Sequence, residues 1–173
     1  MSAPYFNKIS ARQISVLFIL FFVTESTIAA DAAKLETFMT TNACKYCDLT
    51  SAALSGKDMR GADFQNANLA GANMSKADLS ERPLEKRTLH SNFESANLRK
   101  TDLSGANLKG ANFSNAYLRE TNLTDANLTG AVLTGANLKG AILKGAKLDG
   151  VKLEEGKFCN TTMPDGSMND TGC

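Results

Sequence analysis

Ala106-Asn107-Leu108-Lys109-Gly110 returns as Ala126-Asn127-Leu128-Thr129-Gly130 and again as Ala136-Asn137-Leu138-Lys139-Gly140. The period is five, and it extends well beyond these units. Taking the central apolar residue of each unit as position i, one run of centres goes from Leu49 every fifth residue to Leu79 and a second from Phe93 to Met163. All 22 centres are Leu, Phe or Met, so the pattern is a repeat and not a bias in composition. Position i−2 is Ala in 14 of the 22, with Lys57 the only long polar residue there, and position i−1 is Asn or Asp in 14. Ten of the chain's 13 glycines fall at i+2. A step of five residues advances about 140° beyond a full turn of an α-helix, so the leucines would spiral over every face. The helix is excluded.

An extended chain with regular corners accommodates the pattern. Positions i−2 and i are two apart, so on a strand their side chains point the same way, one small and one large, while i−1 points to water. Residues i+1 and i+2 then turn the corner, where Gly and Asn tolerate the positive φ of a type II turn. One such segment buries almost nothing. Stacked coils bury a continuous apolar column and pair each backbone with the next at about 4.8 Å. The spacing alone allows three or four sides per coil.

The three quoted units resemble the A(D/N)LxG unit of the pentapeptide-repeat proteins. The resemblance covers residues 47–163 and implies an all-β fold, a right-handed quadrilateral parallel β-helix with four pentads per coil. The repeat stretch then makes about six coils, a rod roughly 28 Å long at the strand spacing. Some members of that family resemble duplex DNA in shape and charge and protect gyrase from quinolones. This chain departs from that pattern in its neutral charge and its expected export, so no gyrase or DNA mimicry is expected.

The step from Leu79 to Phe93 falls one position short of three pentads, so the phase of five is broken there. Arg82 and Arg87 occupy slots meant for Ala, and an arginine in an apolar column carries a heavy desolvation cost. Residues 81–91 are therefore expected to leave the rod as a loop or a distorted coil. His90, the chain's single histidine, lies here with no ligand or base partner in the sequence, and reads as exposed and inert.

The first thirty residues stand apart from the repeat. Lys8 and Arg12 precede the apolar run Ile14–Val23, and small residues follow, with cleavage expected after Ala30 or Ala32. That order marks a secretory signal peptide, and the run is too short for the roughly 20 residues of a membrane span. The expected address is secreted or periplasmic, with no transmembrane span after processing. Removing residues 1–30 takes away Lys8, Arg12 and Glu25, leaving 17 basic and 17 acidic side chains of the original 19 and 18. A neutral chain has no overall field to draw it to nucleic acid or a membrane, so any charge-driven partner is read by a local patch. Residues 31–46 are expected to form the N-terminal cap, with a short capping helix over Asp31–Thr41 that sets Leu35, Phe38 and Met39 on one face, and to begin the Cys44–Cys47 motif that runs into the first repeat. Pro164-Asp165-Gly166 stops the repeat, and residues 164–173 form the C-terminal cap.

Cys44, Cys47, Cys159 and Cys173 admit three pairings. In the six-coil rod implied by the resemblance, the first two lie more than about 20 Å from Cys159, beyond the roughly 7 Å limit between bridged Cα atoms. Cys44–Cys47 and Cys159–Cys173 remain. Cys44-Lys45-Tyr46-Cys47 is also a C-x-x-C, the motif of thiol–disulfide oxidoreductases, but Cys47 occupies the small inward slot and not an activating helix N-terminus. A zinc site needs four ligands together, and the rod holds the pairs apart. No catalytic residue, metal site or cofactor is expected.

With four pentads per coil, Arg99, Arg119 and Lys139 fall one above another, with Lys100 and Lys157 on the same face. This basic column is a candidate binding face for an anionic polymer, although Glu120 interrupts it. Tyr117, Val132 and Ile142 take outward slots usually given to Asn and are candidates for contact with another protein. The expected function is a non-enzymatic exported scaffold or protein-binding module. Binding of anionic polymers or surfaces through the basic face is the first alternative, and a redox-active C-x-x-C the second.

Overall fold

Backbone pairing recurs at a fixed interval along this chain. The computed structural model describes Phe38 and residues 41–173. The expected signal peptide lies outside them, as does the expected capping helix apart from Phe38 and Thr41. Parallel bridges join Ala43 to Asp63, Asp48 to Asn68, Ala53 to Asn73 and Asp58 to Asp78, each pair four pentads apart. The same separation runs from Asn92–Asn112 to Ile142–Thr162. Four bridges fall in each turn, one per pentad, so the chain turns four corners before it lies on itself again. Pairing already begins at Ala43, ahead of the first full pentad.

Each pentad is held by three elementary devices. The i N–H donates forward along the rod, as from Leu108 to the Asn127 carbonyl at 2.8 Å, and the i−1 N–H donates back, as from Asn127 to the Ala106 carbonyl at 2.9 Å. The corner closes locally, with the Ala111 N–H on the Leu108 carbonyl at 3.0 Å. Position i+2 has positive φ from Tyr46 through Asn160, Glu81 excepted, which explains the concentration of glycine there. The outward Asn or Asp serves the corner too. Asn112 Oδ1 accepts the Ser114 N–H at 3.1 Å, while its Nδ2 donates to Asn92 Oδ1 one turn earlier, also at 3.1 Å. A short side chain with an acceptor is what position i−1 requires.

Inside, the i and i−2 side chains fill the column. Leu49, Leu69, Leu98, Leu118 and Leu138 have no exposed surface. On the adjoining side the rings of Phe38, Phe64, Phe93 and Phe113 follow one another at centroid distances of 4.9, 5.1 and 4.7 Å. Where Thr replaces Ala at i−2, its hydroxyl turns to a carbonyl of the turn before. Thr101 donates to Leu69 at 2.8 Å, Thr121 to Leu98 at 2.7 Å and Thr161 to Leu138 at 2.8 Å. A buried hydroxyl is thereby tolerated in an otherwise apolar slot.

Of the expected stretch 81–91, residues 82–90 leave the rod, as a hairpin, while Ser91 is already back in the column, fully buried and accepting the Asn112 N–H at 2.9 Å. β1 (Arg82–Pro83) pairs antiparallel with β2 (Thr88–Leu89), and the Leu84 N–H closes the turn on the Arg87 carbonyl at 2.8 Å. The bridges that span this region, such as Asp78–Asn107, join positions 29 apart, against 20 for a regular pair such as Asn92–Asn112. The surplus is nine. The phase reading of the sequence is corrected accordingly: Leu79 and Phe93 are successive pentad centres separated by one step of five plus an insertion of nine, not by three pentads less one position. The hairpin rests where two corners carry no side chain. A Cβ on Gly61 would meet Arg82 and Leu89 at 3.0 Å, and one on Gly110 would meet His90 at 3.0 Å.

The C-terminal tail folds back over the last turn. β3 (Thr161–Thr162) pairs antiparallel with β4 (Met168–Asn169). Cys159 and Cys173, with Cα atoms 4.9 Å apart, tie the tail down, and Cys44 and Cys47, 5.4 Å apart, close the first corner.

Two outcomes follow from this architecture. Replacing Phe93 by Ala opens a gap in the middle of the ring column and should cost about 3–5 kcal/mol in urea unfolding; a loss below about 1 kcal/mol contradicts the stack. Excising residues 82–90 joins Glu81 to Ser91 and restores the step of five, so that variant should keep the strand-type circular dichroism and cooperative unfolding of the parent. A chain that no longer folds contradicts the insertion reading.

Candidate interaction surfaces

Because the inward side chains are consumed by packing, the side chains available for contact lie on the outward rows, the corners, the hairpin and the ends. The basic column forms as the four-pentad turn requires. The Lys100 N–H donates to the Arg119 carbonyl and the Glu120 N–H to the Lys139 carbonyl, both at 3.0 Å, which sets Arg99, Arg119 and Lys139 on successive turns of one corner. Glu120 does more than interrupt it. Its carboxylate lies 3.5 Å from Arg99 and 3.6 Å from Lys100, so the lower part of the column is compensated. Arg119 and Lys139 have no ion-pair partner among the described residues.

Tyr117, Val132 and Ile142 do not gather into a patch. Tyr117 bridges between Asn97 and Asn137, Val132 between Asn112 and Lys152, and Ile142 between Asn122 and Thr162, which puts them on three different sides. Tyr117 is 55% and Ile142 43% exposed. Exposed apolar residues scattered singly are ordinary on protein surfaces.

The hairpin is the most irregular surface. Leu84, near its tip, is exposed and is flanked by Arg82, Glu85, Lys86 and Arg87. His90 is half-exposed, as expected, and takes a structural bond. Its Nδ1–H donates to the Gly110 carbonyl at 3.1 Å and faces the Glu81 carboxylate at 3.8 Å, while Lys109 reaches the same carboxylate at 3.2 Å. The histidine thus pins the returning arm of the hairpin to the next corner. Its partner is a backbone carbonyl four pentads further on, which no side-chain motif announces. Two open clefts flank the hairpin. One of about 310 Å³ is lined by Ser80, Glu81, Pro83, Thr88, Asn107 and Lys109, and one of about 210 Å³ by Asn42, Asp58, Arg60 and Arg82. In the second, Arg60 donates to Asp58 at 2.8 Å and holds that carboxyl below the usual carboxylate range. Both clefts lie outside the packed column.

All four cysteines are bridged, and Cys44 and Cys47 are nearly inaccessible. Among the described residues no cluster of His, Cys, Asp and Glu is arranged to hold a metal ion. One regularity escaped the sequence reading. The outward i−1 slots carry Asp48, Asp58, Asp63 and Asp78 in the early turns and Lys147, Lys152 and Lys157 in the last. Charge is graded along the rod while the total stays near zero, and reading the i−1 row in order would have exposed it.

Comparison with known proteins agrees with this geometry. The pentapeptide-repeat family profile matches eight copies, over residues 44–80, 90–125, 116–154 and 126–163, and its gap coincides with the hairpin. Among curated proteins no sequence match is found. Among solved structures, the chain is similar to a pentapeptide repeat protein from the cyanobacterium Cyanothece 51142, with 29% identity and a TM-score of 0.69 over 76% of this chain and 97% of that one. It is also similar to a pentapeptide repeat protein from the Arabidopsis thaliana thylakoid lumen, with 34% identity and a TM-score of 0.57 over 67% of this chain and 72% of that one. The chain belongs to the pentapeptide-repeat family and adopts its right-handed β-helical solenoid.

Proposed function

We propose that this protein is an exported, non-enzymatic scaffold that binds another protein: a rod of about six coils, capped by a short N-terminal helix and stapled by a disulfide near each end. The observation that carries this reading is the hairpin insertion. It interrupts an otherwise regular repeat and projects an exposed leucine among charged side chains, on a base fixed by His90, Glu81 and Lys109. A protrusion on a rigid support is a common site of recognition. Export is supported by the order of Lys8 and Arg12, the Ile14–Val23 run and Ala30. The two disulfides favour an oxidising compartment. The Arabidopsis relative comes from a lumen, also separated from the cytosol by membrane.

A second reading, capture of an anionic polymer, draws on Arg119 and Lys139, stacked on successive turns without carboxylate partners among the described residues. Compensation of Arg99 by Glu120 weighs against it. Redox catalysis by Cys44 and Cys47 is disfavoured by their burial, since thiol–disulfide exchange needs an accessible sulfur.

Mass spectrometry of the chain recovered outside the cytoplasm should find a mature N-terminus at Asp31 or Ala33; an intact N-terminus on exported protein, or none exported, contradicts the address. Replacing Arg99, Arg119 and Lys139 together by Gln should leave salt-dependent retention on a polyanion matrix unchanged under the scaffold reading. Under the polymer reading it should move elution to markedly lower salt.

A further inference from the structure

Among the described residues, the final turn of the solenoid is only half covered. In the turn below it, the Leu128, Gly130, Leu133 and Gly135 N–H groups donate upward to the carbonyls of Lys147, Asp149, Lys152 and Glu154 at 2.8–2.9 Å. One turn later the equivalent donors are Leu148, Gly150, Leu153 and Glu155. None of these four has a hydrogen-bond partner among the described residues, and the carbonyls of Ala146 and Val151, whose counterparts on Ala126 and Ala131 accept the Lys147 and Lys152 N–H groups, are equally open. The other two sides of the same turn are occupied. There Asn160 N–H donates to Asp170 Oδ1 at 2.9 Å, Met163 N–H to the Ser167 carbonyl at 2.8 Å, and β4 pairs with β3, all under the Cys159–Cys173 bridge. The tail stops short of residues 146–155. The side chains there match the open backbone: Leu148, Val151 and Leu153 are packed against the core yet partly exposed, whereas Leu128 and Leu133, one turn below, are buried.

We infer that the edge formed by residues 146–155 is a strand-accepting site, which takes an extended segment of a partner protein, acidic at the residues that lie over Lys147 and Lys152, as one further half-coil. This deepens the scaffold reading and rests on it. Three features select that occupant. The edge offers four donors and two acceptors, and a parallel segment continuing the coil returns four carbonyls and two N–H groups, a full match. A second copy of this chain meeting edge to edge brings the same donor surplus and leaves N–H groups unmatched, a cost an extended partner avoids. Elsewhere in the rod most outward slots hold Asn or Asp, which can bond to its counterpart one turn away, as Asn127 does to Asn107 at 3.3 Å. On this edge the slots hold Lys147 and Lys152, whose stacking neighbours above are best supplied as carboxylates. Main-chain bonds give such a site its affinity and the flanking pair its selectivity.

The test uses the full mature chain with the segment Ala-Asp-Leu-Ser-Gly, written twice, fused after Cys173 through a flexible Gly/Ser linker of about ten residues, which presents it at millimolar effective concentration. Amide hydrogen exchange at Leu148, Gly150, Leu153 and Glu155 should slow by about tenfold or more relative to the chain carrying the linker alone. The same segment with Lys in place of Asp should protect them far less, and the double variant Lys147→Glu with Lys152→Glu should reverse that preference. Unchanged exchange at the four amides, or equal protection by both segments, overturns the proposal. So does a dimer of the unmodified chain in which these amides are already protected, since the occupant is then a second copy. A partner recovered with the full chain whose binding leaves the four amides exchanging freely overturns this site but not the scaffold reading; a chain whose edge accepts the acidic segment yet recovers no protein partner overturns the scaffold reading instead.

Discussion

The structure depends on one coincidence of registers: the inward pair of small and large side chains in each pentad must sit directly over its counterpart four pentads earlier. Only then do the apolar column and the backbone ladder form together. The ladder needs flat strand segments that are too short to be stable alone. The column needs a narrow interior, which the ladder's close spacing supplies. Alanine at i−2 keeps the opposite wall near enough for leucine at i to fill the space. Exceptions obey the same rule, since Thr101, Thr121 and Thr161 fit only by turning their hydroxyls to carbonyls of the turn before.

A stack of this kind is one-dimensional, so its weak points are its ends and its interruptions. Both ends are reinforced covalently, by Cys44–Cys47 at the first corner and Cys159–Cys173 over the last turn. Phe38 extends the ring column beyond the first bridged turn, in contact with Phe64. The interruption is handled differently. The chain departs after Ser80, makes its hairpin and returns at Ser91 without disturbing the ladder, because Gly61 and Gly110 leave room for the hairpin base. The interior of the described coils is thus left undisturbed, and the hairpin stands on a fixed base.

Much of this was legible in the residues, because periodicity five is incompatible with a helix and because Leu, Ala, Asn and Gly each hold a slot whose geometry they satisfy. The corner at i+2 was readable from glycine alone, and the structure extends positive φ to Lys76, Lys100, Glu120 and Glu155, where the position overrides the residue. The cysteine pairing followed once four-sidedness was taken from the family resemblance. Other features were hidden for identifiable reasons. The insertion was misphased because the step from Leu79 to Phe93 falls so near to three pentads, and only pairing partners reveal that it is five plus nine. The bond from His90 goes to a backbone carbonyl, which leaves no trace in sequence. The arrangement of Tyr117, Val132 and Ile142 on separate sides, and the compensation of Arg99 by Glu120, depend on which corner each residue turns. The half-covered edge depends on where the tail folds, and neither period nor composition encodes that.

Scalar couplings transmitted across hydrogen bonds, measured by NMR on labelled protein, address the register directly. The account predicts coupling from the Leu108 amide to the Asn127 carbonyl, on the next regular turn, and from the Leu79 amide to the Asn107 carbonyl, across the insertion. Coupling from Leu79 to the carbonyl of Leu98 would mean that the coil runs through residues 82–90, and absence of both long-range couplings would mean that the chain is not a stack of four-pentad turns.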